Sequence, residues 1–268
     1  MFGDEGVKLL HSADDENMNE IVEKISGYVQ PYKDNKLLEK AQSSNCPYFS
    51  STSSISTPLI MLYYIFSNFR LPILDNIYSG HPNRSPNWMV SFRKPTSFYL
   101  KPSGTGQFAI TSDEGILPAK HQVLMNSGHI MEFVLTHKKE QIESVLSGKF
   151  DQPFTNYYRY AKVNSNLMLR SQIDCMSYDE TGKPYVFEIK SRACAPIRYD
   201  IKNYKLYTDY EINSKRGLLE SFEREYYDLI RGGFLKYVMQ VKIGGMDGAF
   251  IAYHNTEKIY GYEYVKLK

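Results

Sequence analysis

Two short apolar runs around a tight turn constrain this chain more than any other feature in it. "LMLRSQIDCMSY" leads into "DETGKP", and "YVFEIKSRA" follows. Runs of this kind, bounded by Gly and Pro, read as two strands of a hairpin. Side chains alternate faces along a strand. In the second run Tyr185, Phe187 and Ile189 share one face, while Val186, Glu188 and Lys190 share the other. In the first run Ile173 and Cys175 oppose Gln172, Asp174 and Met176. Pairing Asp179 near Tyr185 sets Asp174 almost opposite Lys190 and diagonal to Glu188, close enough to share one ion. A slip of one residue would send Asp174 to the wrong face. The apolar faces, Ile173 and Cys175 with Phe187 and Ile189, agree with the first register, so burial of those faces gathers the three charged groups.

Spacing alone leaves two outcomes open. One is a surface salt bridge among Asp174, Glu188 and Lys190, a common and weak arrangement. The other is a centre in which Asp174 and Glu188 hold a hard divalent cation such as magnesium through oxygen. Two carboxylates this close repel, and a cation compensates them. Lys190 would then hold or activate a water beside the metal. That set suits phosphodiester hydrolysis.

The rest of the chain supplies the frame. Its 268 residues suffice for one large domain or one domain with an extension. The charge total, 32 basic against 30 acidic, neither favours nor excludes a nucleic-acid partner. Its distribution is more telling. Residues 1–40 hold nine acidic and five basic side chains, and residues 183–216 hold eight basic and four acidic. A positive surface near the hairpin follows, or ordinary surface charge. Cys46, Cys175 and Cys194 give no disulfide framework and no paired metal spacing. No apolar run reaches the length of a membrane span. The opening "MFGDEGVKLLHSADDENMNE" is acidic and has the composition of neither a secretory signal nor an arginine-rich transit peptide.

Periodicity predicts a short amphipathic helix over 19–40 broken near Pro31, and a serine-rich connector ending in a helix start with Pro58 in its first turn. A helix over 59–69 and a loop over 71–86 follow. Residues 88–110 read as short strands. "HQVLMNSGHIMEFVLTHKKEQIESVLSG" reads as one helix ending at Gly148. After the hairpin come a helix in "LLESFEREYYDLI", an interruption at "RGG", a helix in "FLKYVMQVK", and strands in "GAFIAYH" and "YGYEYVKL". The order predicts an α/β (α+β) fold, a central mixed sheet flanked by helices. The expected division is an acidic helical extension over 1–50 and a catalytic domain over 51–268.

Asp174 stands fourteen residues before the tripeptide Glu188-Ile189-Lys190. This resembles the PD-(D/E)xK nuclease superfamily, in which an acid on one core strand precedes D/E-x-K on the next, within a restriction-endonuclease-like core. The preceding helix of that pattern often gives a further carboxylate, and Glu132 in "GHIMEFVL" matches it. The following helix often gives a glutamine or a basic group, and Gln240 in "KYVMQVK" matches that. Ile173 departs from the signature, which has proline there. A closer resemblance covers most of the chain from about Ser51. "SSTSSIS", "GHIMEF", "LRSQIDC", "FEIKSRACAPIRYD" and "KYVMQVKIGGMDGAFIAYHNT" are similar to a fungal and protist family of mitochondrial RNA-processing 5′–3′ exoribonucleases. The resemblance implies catalytic Asp174, Glu188, Lys190, Glu132 and Gln240, with Asp174, Glu188 and Glu132 as ligands of magnesium, or of manganese in its place. It also implies single-stranded RNA as substrate, and the mitochondrial RNA polymerase or RNA-turnover machinery as partners.

Arg170, Arg192 and Arg198 flank the expected centre and suit phosphate, because a guanidinium donates in parallel and stays charged. Arg192 continues the face of Glu188 and Lys190; Arg198 has Asp200 as a rival partner. Tyr237, three residues before Gln240, could stack on a base or pack in the core. His121, His129, His137 and His254 read as structural. The run Ser51–Ser56 reads as helix capping. Two rival functions remain at this point: a DNA exonuclease or repair nuclease of the same superfamily, and a non-catalytic RNA-binding factor on a nuclease-like fold.

Overall fold

The computed structural model describes residues 18–75, 77, 85–112, 119–149 and 156–266, with the backbone alone for 18–19 and 119–121. Its β-structure forms two sheets. The first contains β1 (Tyr48–Ser51), β2 (Phe98–Pro102), β3 (Phe108–Ser112), β4 (Tyr157–Val163) and β5 (Leu167–Ile173), in the order β2-β3-β1-β5-β4. The second contains β6 (Cys175–Tyr178), β7 (Pro184–Ala193), β8 (Gly248–His254) and β9 (Ile259–Lys266), in that order. Both mix parallel and antiparallel pairs: β1 runs parallel to β3 and β5, and β7 parallel to β8. The helices are α1 (Met18–Ser26), α2 (Asn35–Ser43), α3 (Thr52–Phe66), α4 (Ala119–Thr136), α5 (Lys139–Leu146), α6 (Ala195–Tyr199), α7 (Phe222–Ile230) and α8 (Phe234–Gly244). The fold is the expected mixed α/β class. Among the described residues no helix is long and apolar enough to cross a membrane.

Several elements differ from the periodicity reading, each for a local reason. The serine-rich stretch is no connector. It forms β1, at the middle of its sheet, and the start of α3. Ser50 Oγ donates to the Ile110 carbonyl at 2.7 Å, and Ser51 Oγ caps α3 by accepting from the Ser54 N–H at 3.2 Å. The helix begins at Thr52, so Pro58 lies inside it rather than in its first turn. The long helix expected up to Gly148 is two, α4 and α5. Thr136 Oγ1 bonds back to the Glu132 carbonyl at 2.8 Å, and Gln141 Oε1 caps the new start by accepting from the Lys138 N–H at 2.9 Å.

Residues within 22–49 enter the core. Val22 and Ile25 of α1 pack with Ile130, Met131 and Phe133 of α4 and with Ile142 and Val145 of α5. Leu37 and Ala41 of α2 pack with Cys46, Phe49, Ala109 and Met168 against the first sheet. The division expected at residue 50 therefore falls within β1.

The hairpin keeps its expected faces but not its expected register. Ser177 pairs with Tyr185 and Cys175 with Phe187, two residues away from the pairing of Asp179 with Tyr185. Because side chains repeat every two residues, a shift of two preserves the face and changes only the neighbour. Extending the ladder by one step sets Asp174 level with Glu188, not with Lys190.

Candidate active site at the junction of two sheets

Asp174 belongs to neither sheet. It sits between the last residue of β5 and the first of β6, where the chain leaves one sheet for the other. At that point β7 loses its antiparallel neighbour, and a backbone donor is left over. The Asp174 carboxylate takes it, with Oδ2 accepting from the Ile189 N–H at 2.8 Å. The side chain is 5 % exposed and is held as an N–H acceptor.

Glu188 and Lys190 project from β7 on the same face. Lys190 Nζ lies 2.6 Å from Glu188 Oε1 and 3.5 Å from Asp174 Oδ2, so one ammonium touches both carboxylates. Their side-chain exposures are 3 % for Glu188 and 23 % for Lys190, so the lysine is the solvent-facing member. Glu132 approaches from α4. Gly128, one turn earlier, lets that helix come close, since a Cβ there would lie 3.1 Å from Ser191 Oγ on β7. Burial raises the Glu132 carboxyl well above its ordinary value, and the charge of Asp174 adds to the effect. Burial also pushes Glu188 up to about 7, against the pull of Lys190. For Lys190 burial acts downward, but Glu188, Asp174 and Glu132 outweigh it and hold the ammonium well above its usual range. Lys190 is therefore a fixed positive donor near neutral pH, not a base.

Gln240 of α8 is buried, and its Oε1 has no hydrogen-bond partner. Tyr237, for which base stacking and core packing were both open, packs onto the cluster of Cys194, Leu229 and Tyr253. The neighbour that interacts with Glu188 is Lys236, four residues before Gln240 and so one turn away. Burial lowers its ammonium, Lys190 repels it and Glu188 attracts it. The sequence reading passed over Lys236, although the helical spacing from Gln240 was there to find it. His129, one turn before Glu132, lines the same side of the site. Burial lowers its imidazole, with Lys190 acting in the same direction and Asp174 against it. The side chain of His121 lies outside the described residues. A cleft of about 450 Å³ opens in front of Glu132 and Asp174, walled by His129, Tyr158, Arg159 and Gln172.

The three arginines separate. Arg170 is turned inward: it pairs with Asp34, donates to the Val29 carbonyl at 2.6 Å and lies over the Tyr158 ring. Arg198 bridges Glu225 and Asp228, the latter at 2.8 Å, while Asp200 accepts from Asn203 and Tyr207 instead. Arg170 and Arg198, both expected to suit phosphate, thus have internal carboxylate partners. Arg192 is buried, not at a solvated strand end, and its Nε has no partner.

The donor set fits a hard divalent cation. Three carboxylates stand against one contacting ammonium, and two of them are pushed toward protonation by burial and mutual repulsion. Among the described residues no three or more His, Cys, Asp or Glu side chains stand close enough together to hold a metal ion as a group. Magnesium needs no such group, because it binds through one or two carboxylates and keeps waters or phosphate oxygens for the remainder.

Comparison with known proteins agrees with the resemblance of the sequence. The family described as mitochondrial protein Pet127 matches residues 28–268. PET127 of Saccharomyces cerevisiae, described as a component of the mitochondrial translation system, is 36 % identical over 245 residues, covering 90 % of this chain and 29 % of that protein. The mitochondrial mRNA degradation protein pet127 of Schizosaccharomyces pombe is 32 % identical over 256 residues, covering 91 % and 47 %. The chain thus spans less than half the length of these relatives. Similar solved structures include Rai1 of Scheffersomyces stipitis, with a TM-score of 0.42 and 14 % identity over 86 % of this chain and 57 % of that one. Rai1 of Candida albicans in complex with pU5-Mn2+ follows, with a TM-score of 0.40 and 12 % identity over 93 % and 57 %. The chain belongs to the mitochondrial protein Pet127 family.

Proposed function

We propose that this protein is a metal-dependent nuclease that hydrolyses phosphodiester bonds of single-stranded RNA, acting as an exoribonuclease in mitochondrial RNA processing and turnover. The observation that carries the reading is the convergence of Glu132, Asp174, Glu188 and Lys190 at the junction of the two sheets. The relative named for mRNA degradation supports RNA over DNA. The mitochondrial RNA polymerase and RNA-turnover machinery enter as partners by family resemblance.

Asp174 and Glu188 would hold magnesium or manganese, with Glu132 as a third oxygen donor. When bound, the cation supplies charge neutralisation at the phosphate and a more acidic water. Lys190, fixed as an ammonium, donates a hydrogen bond to the attacking water or to a phosphate oxygen and so sets its position. Gln240 brings an unpartnered amide oxygen, and Lys236 a second positive charge beside Glu188. Asp174 is oriented by the Ile189 N–H, so its position is fixed before substrate arrives.

The test is end-labelled single-stranded RNA and DNA incubated with magnesium, with manganese and with a chelator. RNA shortened from one end only when a metal is present, and at least 100-fold slower with Lys190→Ala, is the expected result. Such a loss corresponds to about 2.7 kcal/mol of transition-state stabilisation. Full activity in Lys190→Ala, or cleavage unaffected by chelation, would sink the proposal. Faster digestion of DNA would redirect it to the deoxyribonuclease reading.

A further inference from the structure

Arg192 presents a problem that the carboxylate centre does not solve. Its residue is 7 % exposed, and its Nε is buried without a partner. Among the described residues its guanidinium makes no hydrogen bond and no ion pair. The acids nearby are already engaged. Glu225 accepts from the Ala195 N–H at 2.8 Å and pairs with Arg198, and Asp228 takes Arg198, Arg224 and the Tyr199 hydroxyl. A buried guanidinium without a counter-ion is destabilising, so a chain that keeps one has an anion to meet it.

The surroundings indicate where that anion goes. Arg192 Nη1 lies 3.5 Å from the point a Cβ on Gly233 would occupy, and Tyr237 Oη lies 3.3 Å from the same point. Gly233 is the N-cap of α8 and offers no side-chain cap, so the first amides of that eleven-residue helix have no side-chain acceptor at the cap. A guanidinium fork and a phenol thus lie together against the positive end of a helix. That set matches tetrahedral anionic oxygens rather than a flat or neutral group. Arg192 follows Lys190 by two residues on the same face of β7, about 7 Å along the strand. Lys236, in the first turn of α8, is drawn electrostatically to Glu188.

We infer that Arg192, Tyr237 and the N-terminus of α8 form a phosphate subsite that holds a second phosphate of the strand whose neighbouring phosphate meets the carboxylates. The inference rests on the nucleic-acid reading given above, but not on cleavage. The phosphate is either an internal one or the terminal monophosphate, and the two are separable by experiment.

The test measures binding in chelator, with no metal and no turnover. Oligouridines bearing a 5′-phosphate or a 5′-hydroxyl are titrated against the parent, Arg192→Met and Gly233→Ala. Arg192→Met is expected to bind about tenfold or more weakly, as for a lost hydrogen bond to a charged group. Its slope of log affinity against log salt should become shallower by about 0.7. Its Tm should hold or rise, because a buried unpaired charge has been removed. Gly233→Ala, which keeps the charge and sets a methyl group against Tyr237 Oη and Arg192 Nη1, should weaken binding at unchanged Tm, and it decides the matter if Arg192→Met fails to fold. A loss confined to the 5′-phosphorylated strand identifies the terminal phosphate; an equal loss on both identifies an internal one. Unchanged affinity in a folded Arg192→Met, or no binding by the parent without metal, overturns the subsite. Weakened binding in a protein that cleaves neither RNA nor DNA would leave the subsite standing and remove the nuclease.

Discussion

A single ammonium, that of Lys190, stands in contact with two of three converging carboxylates, and so holds their charge in place through burial. His254 shows the opposite solution to burial. It is almost wholly buried at the end of β8, and its Nδ1 accepts from the Thr256 N–H at 3.0 Å, which only the neutral ring can do. Burial lowers its pKa to about 3, and the Arg198 guanidinium acts in the same direction. The unfolded chain takes up this proton near pH 6.5, and the folded protein does so only near 3. The unfolded state therefore binds more protons between those values, and stability falls as pH falls through that window. His254→Asn keeps an acceptor for Thr256 and removes the titration. Between pH 7 and pH 5 the parent is expected to lose more stability than this variant, the difference approaching about 1.4 kcal/mol per pH unit below 6.5. Urea midpoints at several pH values check it, and parallel curves for the two proteins would refute it.

At the scale of elements, the decisive event is the change of sheet at Asp174. Its carboxylate has two jobs, as the hydrogen-bond partner of Ile189 and as a charge at the centre, and two substitutions separate them. Asp174→Asn keeps an oxygen for the Ile189 N–H, so its stability should match or exceed that of the parent while cleavage is abolished. Asp174→Ala leaves that buried N–H unmet and should lose about 1–3 kcal/mol as well as activity. Thermal unfolding beside the RNA assay tests both, and retained cleavage in Asp174→Asn would exclude a catalytic charge there. The face of Asp174 was legible in the sequence, because Ile173, Cys175, Phe187 and Ile189 admit one parity only. The sheet change was not, since alternation runs unbroken through residues 173–175 and a new partner leaves no mark on it. The register was off by two for the same reason. The break at "RGG" and strands β7, β8 and β9 were legible from turn residues and β-branched or aromatic runs. The partners of Arg170 and Arg198 were not legible, because neither is local and the one nearby candidate, Asp200 for Arg198, binds Asn203 and Tyr207 instead. Asp34 lies 136 residues from Arg170, and Glu225 lies 27 from Arg198.

At the scale of the whole molecule, the pairing of Arg170 with Asp34 ties the N-terminal helices to the strand that delivers Asp174. Arg170 is on β5, four residues before the junction, and Asp34 is the N-cap of α2, accepting from the Leu37 N–H at 2.9 Å. Together with Leu37, Ala41, Val22 and Ile25 in the core, this pair leads us to propose that residues 18–50 fold with the rest of the described chain rather than apart from it. Breaking one side of a buried ion pair strands the other charge, which costs about 3–5 kcal/mol. Asp34→Ala should therefore be severe, since it also removes the helix cap, worth about 1 kcal/mol. Arg170→Met should cost less, because Asp34 is nearer the surface and keeps Leu37 as a donor. The double variant should be more stable than the sum of the two single losses predicts, by at least about 1 kcal/mol, the mark of direct coupling. If residues 18–50 formed a separate extension, the same substitutions would leave the main unfolding transition where it was and melt a minor one. One cooperative transition that moves as a whole in all three variants is the expected outcome, and it would carry RNA cleavage down with it at the same temperature.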